Sequence, residues 1–284
     1  MAAIFSYARR VVAIARSRLA PRYYTLHEAI ARVLRNGAKT ILETHAGADP
    51  NAGSRRIAVF VHFDGRGVMH DYVVAYLESL QAAGFRIWLM SNAPRLSREA
   101  IERVKPLVTV VHRRNNFGYD FGAYKDGILS VLEHEAPEQL VVCNDSVYGP
   151  FRPLGSILER AEATAGDVWG MTESYEKVYH LQSYFVLFNK RAVVDPQFLQ
   201  FWRDAPYVDA RGWLIHHGEL ALTQVMLKAG LSVRALYPYE AIAAALRQRL
   251  DTYAADEARG EIPPLNDRKL HDFRIGLLDA FDNG

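Results

Sequence analysis

Four short apolar runs, at residues 57–63, 85–90, 108–111 and 140–143, alternate with longer amphipathic stretches. Near-continuous apolar runs of this length are what strands become when both sheet faces are covered. Between them, helices are expected over about 69–83, ended by Gly84, over 97–105, with Ser97 as cap and Pro106 as stop, and over 121–134. A strand–helix alternation of this kind predicts an α/β fold, a Rossmann-type and mostly parallel sheet with helices on both faces.

The pattern loosens in the second half. A helix is expected over 154–163, strands over 168–171 and 184–188, a helix over 219–229 ended by Gly230, a strand over 231–236 and a tail helix over 239–250. Phe198, Phe201 and Trp202 sit at helical spacing and read as core. Three regions follow: 1–50, a basic helical extension and linker; 51–240, the main domain; and 241–284, a helical tail. Within the first, a second helix is expected over 26–43 and a linker over 46–53.

Over residues 1–20, Ile4, Phe5, Ala8, Val11, Val12, Ala15 and Leu19 share one helical face, opposite Arg9, Arg10, Arg16 and Ser17. Such a helix either lies weakly on an anionic membrane surface or packs on the domain or a partner. No apolar stretch is long enough to span a bilayer, and arginines interrupt any signal-peptide core. The net charge of +2 argues against nucleic acid as a partner. The one cysteine, Cys143, ends an apolar run and reads as a buried, inert thiol in a reducing compartment. The expected location is cytoplasmic, with peripheral contact at the inner face of the inner membrane through residues 1–20.

The glycine fingerprint of dinucleotide folds, the P-loop, the nucleophile elbow and paired zinc spacings are missing from the sequence. The polar strand ends remain. The strand at 140–143 runs into Asn144-Asp145-Ser146, and the strand at 108–111 into Arg113-Arg114-Asn115-Asn116-Phe117-Gly118-Tyr119-Asp120-Phe121-Gly122. In open α/β sheets that edge binds ligands. Carboxylates there suit Mg²⁺ or Mn²⁺, arginines suit phosphate, and glycines admit close backbone approach. Turn or capping roles compete for Asp64, Asp120, Gly118 and Gly122.

The order of 57–63, the 115–122 block, Asn144-Asp145-Ser146-Val147-Tyr148-Gly149-Pro150, Trp169-Gly170-Met171-Thr172 and His180-Leu181-Gln182-Ser183-Tyr184-Phe185 resembles the rhamnan synthesis protein F family over residues 56 to 240. Its members are regarded as glycosyltransferases of bacterial surface polysaccharide assembly, rhamnosyltransferases among them. The same order resembles the GT-A glycosyltransferase plan. The resemblance implies a nucleotide-sugar donor, a divalent metal at Asp145, and a glycan or lipid-linked glycan acceptor. It implies Glu219, then Asp120, as catalytic base. Donor and diphosphate would be held by His62, Asp64, Arg113, Asn116, Gly118, Asp120, Asn144, Asp145 and Ser146. Sugar or acceptor would meet Tyr148, Glu173, His180 and Gln182. One departure stands out: the usual acidic motif carries two carboxylates, whereas here only Asp145 is acidic, so basic residues are the alternative to a metal for stabilising the leaving diphosphate. A non-catalytic glycan- or partner-binding module of the same fold is the rival reading. A nucleotidyltransferase is a weaker third, because Gly65-Arg66-Gly67 is a poor nucleotide signature.

Overall fold

The computed structural model describes residues 23–35, 37–162 and 166–259. The basic stretch over 1–20 lies outside them, as does the tail beyond 259. A first helix, α1, covers residues 23–35. The chain then runs through β1 (Ile41–Ala46), β2 (Arg56–His62), α2 (Asp71–Ala82), β3 (Arg86–Ser91), α3 (Arg98–Val104), β4 (Val110–Arg114), α4 (Tyr119–His134) and β5 (Gln139–Asn144). The second half holds α5 (Leu154–Glu162), β6 (Val168–Ser174), β7 (His180–Leu181), β8 (Phe185–Asn189), α6 (Lys190–Val193), α7 (Pro196–Asp204) and α8 (Arg211–Leu214). A π-helical turn, Ile215–Leu220, leads into α9 (Ala221–Lys228), β9 (Val233–Tyr237) and α10 (Tyr239–Ala258).

The strands form one sheet in the order β1-β4-β3-β2-β5-β8-β6-β7, with β9 also paired to β6. The central β4-β3-β2-β5 block is parallel throughout. β1 and β8 run against it, and β6 and β9 return to its direction, so the expected mixed α/β, mostly parallel sheet is present. Alternate residues supply two cores. Ala58, Phe60, Val141 and Cys143 pack under α2, α3 and α5, while Ile57, Val59, Val61, Leu140 and Val142 pack under α4, α7 and α9. Phe198 and Trp202 are fully buried there, as their spacing suggested.

Several expectations change. The helix expected over 26–43 stops near 35, and Ile41–Ala46 instead pairs antiparallel with β4. The Thr-containing end of that stretch satisfies its backbone on an edge strand, which helical periodicity could not reveal. Residues 47–51, expected as linker, are pinned: Gly47 N–H donates to Thr109 O, and Asp49 pairs with Arg86 at 2.8 Å. β4 runs on through Arg113 and Arg114 rather than stopping at Val111. The tail helix continues to Ala258. Ser97 does cap α3, its Oγ accepting from Ala100 N at 3.0 Å. Cys143 is buried, and burial pushes its thiol pKa up, consistent with an inert thiol.

Candidate functional site

β2, β3, β4 and β5 all end on one edge of the sheet, and their last residues deliver the polar groups. Asn144 ends β5 with its backbone N–H on Tyr184 O at 3.3 Å. Its side chain works in two directions. Nδ2 donates to Asp120 Oδ2 at 2.9 Å, while Oδ1 accepts from Ser146 Oγ at 2.6 Å. Asp145 follows, its Oδ2 accepting from Phe63 N at 3.0 Å. Asp120, Asn144, Asp145 and Ser146 are therefore brought together, as the sequence suggested.

Burial raises the pKa of both carboxyl groups. Asp145 is pushed up to about 6, mainly by desolvation, with the charges of Asp120 and Asp64 adding to it. Asp120 is raised by burial, while Asn144 and the Arg114 charge pull the other way. Two acids that resist joint ionisation favour a cation between them and an incoming phosphate. Among the described residues no group of three or more His, Cys, Asp or Glu side chains could hold a metal ion. The donor set fits a hard cation only where diphosphate and water complete its shell, a mode typical of Mg²⁺.

A second cluster lies at the start of β8. Ser183 donates to Glu219 Oε2 from its backbone N–H at 3.1 Å and also from its hydroxyl. His180 Nδ1 contacts Val178 O at 2.8 Å, and its Nε2 lies 3.6 Å from Glu219 Oε1. The helix α4 connects the clusters: Asp120 lies in its first turn, and four residues on, the Tyr124 hydroxyl donates to Ser183 O at 3.0 Å. Glu219 does not open a helix as expected. It sits inside the π turn, so a favourable helix-dipole role does not account for it. Gly218 lets this turn press on Phe121, where a Cβ would lie 3.0 Å from the ring.

Other expected site residues have structural partners. His62 is fully buried, with Nδ1 at 3.0 Å from Ser91 Oγ and Nε2 at 3.1 Å from Val68 O. Burial holds its pKa down at about 4. It braces the loop that carries Val68. Asp64 accepts from Val68 N and Arg66 N, with His70 3.3 Å away, and these bonds hold its pKa near 2. The Asp64 turn role prevails. Arg113 pairs with Glu43 of β1 and donates to Pro94 O at 3.2 Å, so it ties the edge strand to the loop after β3. Glu173 Oε1 accepts from Tyr239 N at 3.0 Å and anchors the start of α10. Gln182 accepts from Thr172 Oγ1 at 2.7 Å beside the site.

Gly118 takes φ 71 and caps α4, its N–H donating to Asp209 Oδ1 at 2.7 Å. A Cβ there would meet Tyr207 Cα at 3.3 Å, so packing as well as dihedral freedom selects glycine. At Gly122 a Cβ would fall 2.0 Å from Phe117 O, so close packing of the turn before α4 requires that glycine. Asn116 Oδ1 is buried with no hydrogen-bond partner among the described residues, an acceptor suited to a ligand donor. Tyr148 is well exposed, its ring 4.6 Å from that of Tyr72.

Sequence reasoning missed the support beneath the site. Arg114 is buried, pairing with Asp126 at 2.8 Å, Asn92 Oδ1 at 2.6 Å and Phe117 O at 3.0 Å. Asn92 then holds Tyr119 O at 3.2 Å, which fixes the turn before Asp120. Tyr72, whose hydroxyl pKa is raised by burial and by the nearby Asp145 charge, was also missed. Its place in an ordinary amphipathic helix gave no signal.

The family described as rhamnan synthesis protein F matches residues 87–272. That span starts later and reaches further than the 56 to 240 expected, and it leaves His62 and Asp64 outside. An uncharacterized protein, y4gN, of Sinorhizobium fredii is 31% identical over 199 residues, covering 68% of this chain and 51% of that protein. Virulence protein VirA of Vibrio anguillarum is 35% identical over 131 residues, 44% of this chain and 41% of that one. The chain thus spans about half the length, or less, of these relatives. Among solved structures, the galactosyltransferase LgtC, with donor and acceptor sugar analogs, is 11% identical with TM-score 0.36 over 63% of this chain and 72% of that one. The mannosyltransferase PcManGT of Pyrobaculum calidifontis, with GDP-Man and Mn²⁺, is 12% identical with TM-score 0.38, covering 79% and 65%. The match over 87–272 decides the family: this chain belongs to the rhamnan synthesis protein F family.

Proposed function

We propose that the chain is a glycosyltransferase of GT-A type that moves a sugar from a nucleoside-diphosphate donor to a hydroxyl of a bacterial surface glycan, rhamnose being the family's suggested sugar. The observation that carries the reading is the pair of carboxylate clusters on one sheet edge, Asp120–Asn144–Asp145 and Ser183–Glu219–His180, linked through α4, which carries Asp120 and Tyr124. In this reading Asp145 and Asp120 would hold a divalent cation together with the donor diphosphate. The metal would supply charge neutralisation of the leaving diphosphate. Asn144 and Ser146 orient the acids, and the Asn116 carbonyl oxygen accepts from the donor.

Glu219 takes the proton of the acceptor hydroxyl. Ser183 fixes one of its oxygens, leaving Oε1 on the side of the His180 ring, 3.6 Å away. Tyr148 and Tyr72 form an aromatic wall for a base or sugar. Of the donor and acceptor residues expected from the sequence, Arg113, His62, Asp64 and Glu173 act in this reading as supports. The acceptor is a glycan or lipid-linked glycan, and the enzyme works at the cytoplasmic face, residues 1–20 adding a weak membrane contact.

The test is sugar transfer from a panel of nucleotide sugars to lipid-linked and free acceptors, with wild type beside Glu219→Gln. Transfer from one donor, lost in the variant with the fold intact, supports the reading. No transfer from any donor, with glycan binding retained, favours the non-catalytic module.

A further inference from the structure

The strands that carry the site also carry an unusual set of loop tips. Phe151 is 88% exposed, Tyr148 69%, Tyr175 59%, Phe63 51%, Val178 43% and Val147 41%. They lie in the loops that follow β2, β5 and β6. β2 and β5 are parallel, and β6 has the same direction because both it and β5 run against β8. All six therefore stand on the carboxyl edge. The loop after β5 lies against the start of α2, where Tyr148 reaches the Tyr72 ring, and a Cβ on Gly67 would lie 2.0 Å from Arg95 O, so the loops after β2 and β3 are in contact.

Charge on the same loops is of one main sign. Arg66, Arg95, Arg152 and Lys177 are exposed. The carboxylates of Asp64 and Glu173 are turned inward onto backbone N–H groups, which leaves Glu176 as the exposed acid between 63 and 68, 92 and 97, 145 and 153, and 174 and 179. From this juxtaposition we propose that the carboxyl-edge rim is a docking surface for an anionic lipid bilayer, which sets the mouth of the site against the membrane. Apolar tips with arginines and a lysine between them match the interface of such a bilayer, where rings sit at headgroup depth and cations meet lipid phosphates. Val147, Phe151 and Val178 have no hydrogen-bonding side-chain group, so a glycan would gain little from them. The proposal does not require the enzyme reading.

Co-sedimentation of the full chain with vesicles of phosphatidylcholine alone, and of phosphatidylcholine with phosphatidylglycerol, tests it. Binding is expected on the anionic vesicles. The Val147→Ser/Phe151→Ser double variant should weaken it about tenfold with residues 1–20 intact, and Arg66→Gln/Arg95→Gln should weaken it further. A reporter separates rim contact from contact by residues 1–20. The native tryptophans Trp88, Trp169, Trp202 and Trp213 are all buried, so the difference between the emission of a Phe151→Trp variant and that of wild type reports exposed position 151. A blue shift on anionic vesicles supports the proposal. Co-sedimentation without that shift, unchanged binding of the double variant, or no vesicle binding at all overturns it.

Discussion

Ser183 grips Glu219 with two donors, its backbone N–H at 3.1 Å and its hydroxyl, both on the same oxygen Oε2. The Glu219 carboxylate is thereby set in one rotamer with Oε1 turned toward His180. In the proposed reaction, a base held this way would need little reorganisation when the acceptor hydroxyl arrives.

Two graded losses follow for catalysis. Glu219→Gln should lower transfer about 100- to 10,000-fold with unchanged donor affinity. Ser183→Ala keeps the backbone donor and should cost about tenfold, equivalent to roughly 1.4 kcal/mol of barrier. Steady-state kinetics on both variants checks the order. Equal losses would mean that the hydroxyl does more than orient the base.

Arg114 is a stability hub that holds three groups at once, Asp126, Asn92 Oδ1 and Phe117 O, with Tyr207 donating to the other Asp126 oxygen. Arg114→Met leaves the Asp126 charge largely buried, and about 3–5 kcal/mol should be lost in urea unfolding. Arg114→Lys should recover only part of this, because a point charge cannot span three acceptors in a fork.

Asp145 gives the protein an alkaline-side cost. Its folded pKa of about 6 lies above the unfolded carboxylate value, so the folded state binds the proton more tightly. Its contribution to stability is complete below about pH 4 and is lost as pH rises through about 6. Asp145→Asn should therefore gain on wild type by about 2 kcal/mol between pH 4 and pH 7. Paired denaturant titrations at the two pH values measure this.

His62 works in the opposite direction. Burial lowers its pKa to about 4, so it contributes stability above pH 6.5 that is lost as pH falls through 4. His62→Phe should cost about 1–3 kcal/mol at pH 7, because Ser91 Oγ and Val68 O lose a partner, and should flatten the acid limb. An acid limb as steep as that of wild type would move the titration to another group.

The sheet was legible because β2, β3 and β5 are apolar on both faces, a pattern that burial on two sides writes directly into sequence. Asn144 and Asp145 stand out for a related reason: a polar pair that closes an apolar run marks the strand end, where its side chains must find hydrogen-bond partners. β1 was not legible, since Thr44 and His45 face an edge and Leu42 is partly exposed. The π turn at Glu219 was hidden as well. The wider turn covers only Ile215–Leu220, too short a stretch for a change of period to show in the sequence. Arg113 and Arg114 show the remaining limit. Adjacent residues on a strand face opposite ways, and composition cannot say that one meets Glu43 while the other is buried against Asp126.

The most direct measurement is calorimetric titration of nucleoside diphosphates into the full chain with and without Mn²⁺, on wild type and Asp145→Asn. The account predicts that one nucleotide binds, that Mn²⁺ tightens it, and that Asp145→Asn removes the Mn²⁺-dependent part while the variant stays folded. Absence of binding by every nucleotide at saturation, or an equal Mn²⁺ effect in the variant, would contradict a donor site at Asp120 and Asp145.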